Sequence, residues 1–176
     1  MKQLFRRALL PAIAASMVFV LPAAALEAPD VDGGQARTAP REMAFQIPMN
    51  NFCSNDNAFD FSFQLSNASD RPTDVTLFLY QKNGSSFLES GTSYAGMEST
   101  IVPGTPLTLK ANATEFYHLN FGNNKTCSER IYMGKIVAGS GQAKLLAKGW
   151  VRRTGVDAKE TESIVINENN AFELAP

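Results

Sequence analysis

Phe59-Asp-Phe-Ser-Phe-Gln-Leu65 is the stretch from which the fold is read. Phe59, Phe61, Phe63 and Leu65 alternate with Asp60, Ser62, Gln64 and Ser66. A strand's side-chain period of two puts the four large apolar groups on one face, which has to be buried. Asn67 to Thr73 (Asn-Ala-Ser-Asp-Arg-Pro-Thr) interrupts with turn formers before Val75, Leu77 and Leu79 resume the alternation. The segment from Phe59 to Gln81 therefore reads as two strands joined by a polar turn. Such a pair needs a second layer to cover its apolar face, which predicts a β-sandwich.

Working outward, the other strands follow from the same alternation. Met43 to Ile47 forms a first strand ended by Pro48. Lys82-Asn83-Gly84-Ser85 after Tyr80 predicts a hairpin, because Asn-Gly accepts the positive φ of a tight turn; Phe87 and Leu88 begin the return strand. From Glu89 to Pro106 the periodicity is lost, with Tyr94 and Met97 as isolated large groups, and a loop this long is more often functional or mobile than a plain connection. Leu107, Leu109 and Ala111, then Phe116, Tyr117, Leu119 and Phe121, resume strand character. Ile131 to Ala138 is apolar on both faces and so central. Gly139 to Gln142 reads as the turn of a second hairpin into Ala143 to Arg152. Ser163 to Asn167 is the last clear strand, and Ala171 to Leu174 a short edge piece. No stretch carries a sustained helical period, so the expectation is all-β: a single immunoglobulin-like β-sandwich of about seven to nine antiparallel strands.

The amino terminus predicts export. Lys2, Arg6 and Arg7 precede an apolar run from Ala8 to Leu21 and the small residues Ala23-Ala24-Ala25, the pattern of a secretory signal peptide of bacterial style cleaved after Ala25. The expected organisation is a signal peptide over 1–25, a flexible leader over 26–42 and the sandwich over 43–176. Removal of 25 residues leaves 151, enough for one domain, and the mature chain carries a net −4 from 13 basic and 17 acidic residues. A weakly acidic chain does not suit nucleic acid. The mature protein is expected in the periplasm or outside the cell, with no membrane span after cleavage. In that oxidising setting Cys53 and Cys127 are read as one disulfide.

Ile47-Pro48, Phe59 to Leu65, Asn67-Ala-Ser-Asp-Arg-Pro72, Val75-Thr-Leu-Phe-Leu-Tyr80, Asn83-Gly84, Leu107-Thr-Leu109, Gly134-Lys-Ile-Val137 and Lys148-Gly149-Trp150 come in an order that resembles the small immunoglobulin-like β-sandwich modules of secreted bacterial proteins. The resemblance spans roughly residues 45 to 152. It implies architecture and no shared active site; the cysteine pair and the long loop depart from it.

Chemistry is sparse. His118 is the single histidine, on a strand and away from any nucleophile motif, and reads as structural. Glu160 and Glu162 read as acids that solvate a loop, and Asn55-Asp56-Asn57 beside Asp60 as a turn short of the acids and the glycine of an EF-hand. Four Asn-x-Ser/Thr triplets, at Asn67, Asn83, Asn112 and Asn124, read as turn chemistry. No metal site and no cofactor is predicted. Two candidate binding surfaces remain. One is the loop carrying Tyr94 and Met97. The other is the strand face with Lys144, Leu146, Lys148, Trp150 and Arg152 at one parity, where cations flank an indole in a manner suited to an acidic sugar or anionic polymer, unless Trp150 turns into the core. The functional expectation is a non-enzymatic structural or adhesive module binding a protein or cell-surface polymer. A carbohydrate-active enzyme or enzyme inhibitor of the cell envelope, and a pilus or filament subunit, are the alternatives.

Overall fold

The computed structural model describes residues 41–49, 58–121, 126–154 and 159–175. The segments expected to be a signal peptide and a leader, up to residue 40, together with Cys53 and Asn55-Asp56-Asn57, lie outside them. Ten strands are present among the described residues: β1 (Glu42–Gln46), β2 (Ala58–Asn67), β3 (Thr73–Gln81), β4 (Ser86–Phe87), β5 (Leu107–Leu109), β6 (Thr114–Asn120), β7 (Ile131–Ser140), β8 (Ala143–Thr154), β9 (Lys159–Ile164) and β10 (Phe172–Leu174). They form two antiparallel sheets of five, so the expectation of seven to nine strands falls short. β4, β5 and β10 are only two or three residues each and fall within the segments read as the return strand at Phe87, the strand from Leu107 and the edge piece from Ala171. The first sheet runs β1-β7-β3-β4 with β5 also on β3; the second runs β10-β8-β2-β6 with β9 also on β8.

Alternation is obeyed closely. Phe59, Phe61, Phe63 and Leu65 are all buried, as are Val75, Leu77 and Leu79, and they belong to one core shared by both sheets. Phe45 of β1 stacks on Phe63 of β2 with ring centroids 5.4 Å apart, so the sheets meet face to face. Gly134 in β7 makes this possible, because a Cβ there would lie 2.1 Å from the Phe45 ring. Buried Arg130 lies 4.2 Å over the Phe59 ring, a cation held on an aromatic face at the end of the core.

Two expected strand pairings are overturned. β2 and β3 do not pair: β2 lies between β6 and β8, and β3 between β7 and its short neighbours. Likewise Gly139 to Gln142 is no hairpin turn, since β7 and β8 belong to different sheets. Each connection carries the chain from one layer to the other, which suits two apolar faces that must oppose each other rather than lie side by side. The 67–73 connection is pegged by Asn67, whose buried amide donates to the carbonyls of Arg71, Leu109 and Lys110 at 2.7, 3.2 and 3.2 Å. The Asn83-Gly84 hairpin forms as expected, with Gly84 at φ +85° and β4 paired on β3. Its return strand ends at Phe87, and Leu88 is exposed. The strand expected over Ser163–Asn167 is displaced to β9, and Ile164 and Ile166 are both buried.

Candidate functional site

The outer face of the second sheet is read off its register. His118 of β6, Ser62 of β2, Trp150 of β8 and Ser163 of β9 stand side by side in one row; Asn120, Asp60, Arg152 and Thr161 make the next. Because Ala143, Leu145, Ala147 and Val151 are buried in the core, Lys144, Leu146, Lys148, Trp150 and Arg152 share the outward parity. Trp150 is therefore an outer-face residue and half-buried there, while Lys144 and Lys148 are exposed.

The segment 88–106 folds onto this face instead of projecting from it. Thr92 N–H donates to the His118 carbonyl at 2.7 Å and Thr100 N–H to that of Phe116 at 2.9 Å. The Ser99 hydroxyl donates to the Thr92 carbonyl at 2.8 Å and accepts from His118 N–H at 2.8 Å. Gly91 allows the close approach, since a Cβ would lie 2.3 Å from Ser99 Oγ and 2.8 Å from the His118 carbonyl oxygen. Ala95 and Gly96, at φ +50° and +83°, turn the chain so that Tyr94 and Met97 exchange backbone bonds of 2.9 Å. Ile101 reaches the core. The segment is built into the sheet's edge, so of the two readings, functional or mobile, it is not a loop projecting free of the sandwich.

Its tip covers a polar cluster. The Tyr94 ring stacks on His118 with centroids 4.5 Å apart, and the Tyr94 hydroxyl accepts from Arg152 Nη1 at 3.0 Å. Phe116 lies parallel to His118 on another side at 6.3 Å and meets Trp150 at 6.4 Å. His118 is 3% exposed; its Nδ1 sits 3.1 Å from Thr92 Oγ1 and its Nε2 3.7 Å from Asp60 Oδ1. Burial lowers the His118 pKa, opposed by the Asp60 charge and the Thr92 contact. Acid, imidazole and hydroxyl thus stand in the order of a triad. Yet the Asp60 gap exceeds hydrogen-bond length, both facing atoms are buried without a hydrogen-bond partner, and Tyr94 caps the ring. The cluster is built to hold the segment in place.

Beyond the cluster the face opens into a shallow trough. Gln64, Lys148, Trp150, Thr161 and Ser163 line one part, and Gln64, Ser66, Leu146, Lys148, Ser163 and Asn169 line its continuation. Of the residues singled out from sequence, Tyr94, Arg152, Trp150 and Lys148 are brought onto one surface. Lys144 stands farther along β8 opposite Glu173 of β10, and Met97, 44% exposed, lies beyond Tyr94 in the turn. Gln64, Thr161 and Ser163 were missed, as was the His118–Asp60 contact: each occupies a polar position of an alternating strand, and nothing in the order of residues says which strands adjoin. Cys127 opens a 3-10 turn and is not a free thiol; Cys53 lies outside the described residues. No group of three metal-ligating side chains occurs among the described residues. Glu160 faces Arg153 at 3.2 Å across β8 and β9.

No family model matches the chain, and no curated protein matches it. Among solved structures it is similar to the crystal structure of Thermotoga maritima 1070, with a TM-score of 0.42 at 10% identity over 75% of this chain and 98% of that one, a likeness too slight to assign fold or function.

Proposed function

We propose that the chain is an exported, non-enzymatic immunoglobulin-like β-sandwich that binds a cell-envelope polymer through the outer face of its second sheet. The observation carrying this reading is the contact between Tyr94 and Arg152, which merges two surfaces separate in the sequence into one continuous polar face beside Trp150. Strand connections that change sheet between β2 and β3, β5 and β6, and β7 and β8 suit the immunoglobulin-like class. Export rests on the pattern of residues 1 to 25, and oxidation in that compartment suits a Cys53–Cys127 bridge. The binding reading is preferred to a hydrolase because the imidazole a hydrolase would use lies under the Tyr94 ring.

The test is sedimentation of the exported protein with a suspension of purified cell walls. Trp150→Ala, checked for folding by circular dichroism, is expected to lose at least ten-fold in retained protein, and Tyr80→Ala on the opposite sheet to lose none. Equal loss from Tyr80→Ala moves binding to the other face, and retention by Trp150→Ala ends the reading.

A further inference from the structure

The trough beside Trp150 has a composition that narrows what it takes, given the binding reading above, on which this inference rests. Its walls supply an indole, the side-chain amides of Gln64 and Asn169, the hydroxyls of Thr161 and Ser163, and one cation, Lys148; no carboxylate lines it. At about 3.4 Å per strand residue, the run from Trp150 to Leu146 is roughly 13 Å long. That length suits an extended chain of rings better than a single small molecule. Trp150 offers a flat π-face for the C–H side of a pyranose ring. Lys148 stands exposed at the middle of the run, with no carboxylate among the described residues paired to its ammonium.

We propose that this trough is a binding site for a carboxylate-bearing polysaccharide, with a sugar ring on Trp150, its carboxylate on Lys148, and ring hydroxyls on Gln64, Thr161 and Ser163. Each partner has a separate reason. A neutral sugar leaves the central ammonium without a counter-charge, and a polyanion lacking rings leaves the indole face bare. The charge contact lies at the surface, so added salt weakens it.

Trp150 is the chain's single tryptophan, which makes its fluorescence a direct report on the site. The exported protein is titrated with oligogalacturonate, with a maltooligosaccharide of equal length, and with polyglutamate. Oligogalacturonate is expected to give a saturable emission change, weakened ten-fold or more by Lys148→Gln and by raised salt, with neither other polymer matching it. Because Lys148 is exposed, its replacement leaves the fold intact, verified by an unchanged urea midpoint. An equal response to the neutral oligosaccharide, an equal response to polyglutamate, a response indifferent to Lys148→Gln, or no response to oligogalacturonate overturns the proposal. In any of these cases, loss of cell-wall sedimentation by Trp150→Ala leaves the broader binding reading standing, whereas its retention removes both.

Discussion

The two sheets share one core but finish their outer faces differently. On the first, Thr76, Phe78 and Tyr80 of β3 stand opposite Val137, Lys135 and Met133 of β7, a surface of largely apolar, half-buried side chains covering one another. On the second, His118 and Ser62 are buried although they point away from the core, His118 because the segment 91–101 closes over it. Burying polar groups costs stability unless they are hydrogen-bonded. The second sheet meets that cost with the Ser99 and Thr92 contacts to the β6 backbone and imidazole, and leaves the His118 Nε2 and Asp60 Oδ1 atoms facing each other at 3.7 Å. The difference teaches that the long connection is a structural part of one face, and that the polar trough lies beside it on that same face.

The sharpest way to test the shared core is to disturb it from each sheet in turn. Gly134→Ala drives a methyl into the Phe45 ring and is expected to cost about 3 kcal/mol, the upper range for overpacking. Gly149→Ala on the second sheet meets Ile164 Cδ1 at 3.0 Å, a side-chain end able to shift, and should cost about 1 kcal/mol. Urea denaturation measures both; equal losses would mean the Phe45–Phe63 stack is not the tighter contact.

The asymmetry of the outer faces predicts the next effect. Replacing 91–100 by a short Gly-Ser link removes several backbone and hydroxyl contacts to β6 and should cost about 2–3 kcal/mol at roughly 1 kcal/mol per hydrogen bond. A free loop would be lost with little change in stability, so an unaltered urea midpoint would show that the segment is not integral.

His118 gives a pH dependence confined to the second sheet. Its folded-state pKa lies below the ordinary value of 6.5, chiefly from burial. Above that ordinary value the ring is neutral both folded and unfolded. As pH falls through it, the unfolded chain takes up a proton that the native chain resists, so stability declines until the folded pKa is passed. His118→Gln should flatten this slope between neutral and mildly acid pH, while Asp60→Asn, by removing the one charge that favours protonation, should steepen it. Stability curves at pH 7.5 and 5.5 decide; a slope unchanged in His118→Gln would assign it to other groups. The smallest effect is expected at the exposed tip: Met97→Ser should stay within about 0.5 kcal/mol, and a larger loss would extend the structural role of the segment past Tyr94.

Much of the fold is legible because burial is periodic. The alternation at Phe59 to Leu65 names its buried face without reference to any partner, and Asn83-Gly84 names its hairpin, since both depend on neighbours in the chain. The same local logic misreads Asn67 to Thr73 and Gly139 to Gln142, where turn residues connect strands of different sheets. Turn chemistry says that the chain reverses and is silent on the layer to which it returns. For the candidate site, parity alone places Lys148, Trp150 and Arg152 together, whereas Tyr94 joins them across 58 positions through one hydrogen bond that no local pattern announces.

The residues by themselves determined the all-β class, the apolar faces of the strands at Phe59 to Leu65 and Val75 to Leu79, and the shared parity of Lys148, Trp150 and Arg152, though not which way that parity faces, because these follow from the two-residue period of a strand. Only the tertiary structure decided which strands adjoin, that the 88–106 connection seals His118 on the second sheet, and that Gln64, Thr161 and Ser163 complete a trough beside Trp150. Strand pairing joins residues far apart in the chain, and its register is chosen by how two apolar faces fill one core, a condition that no single segment contains.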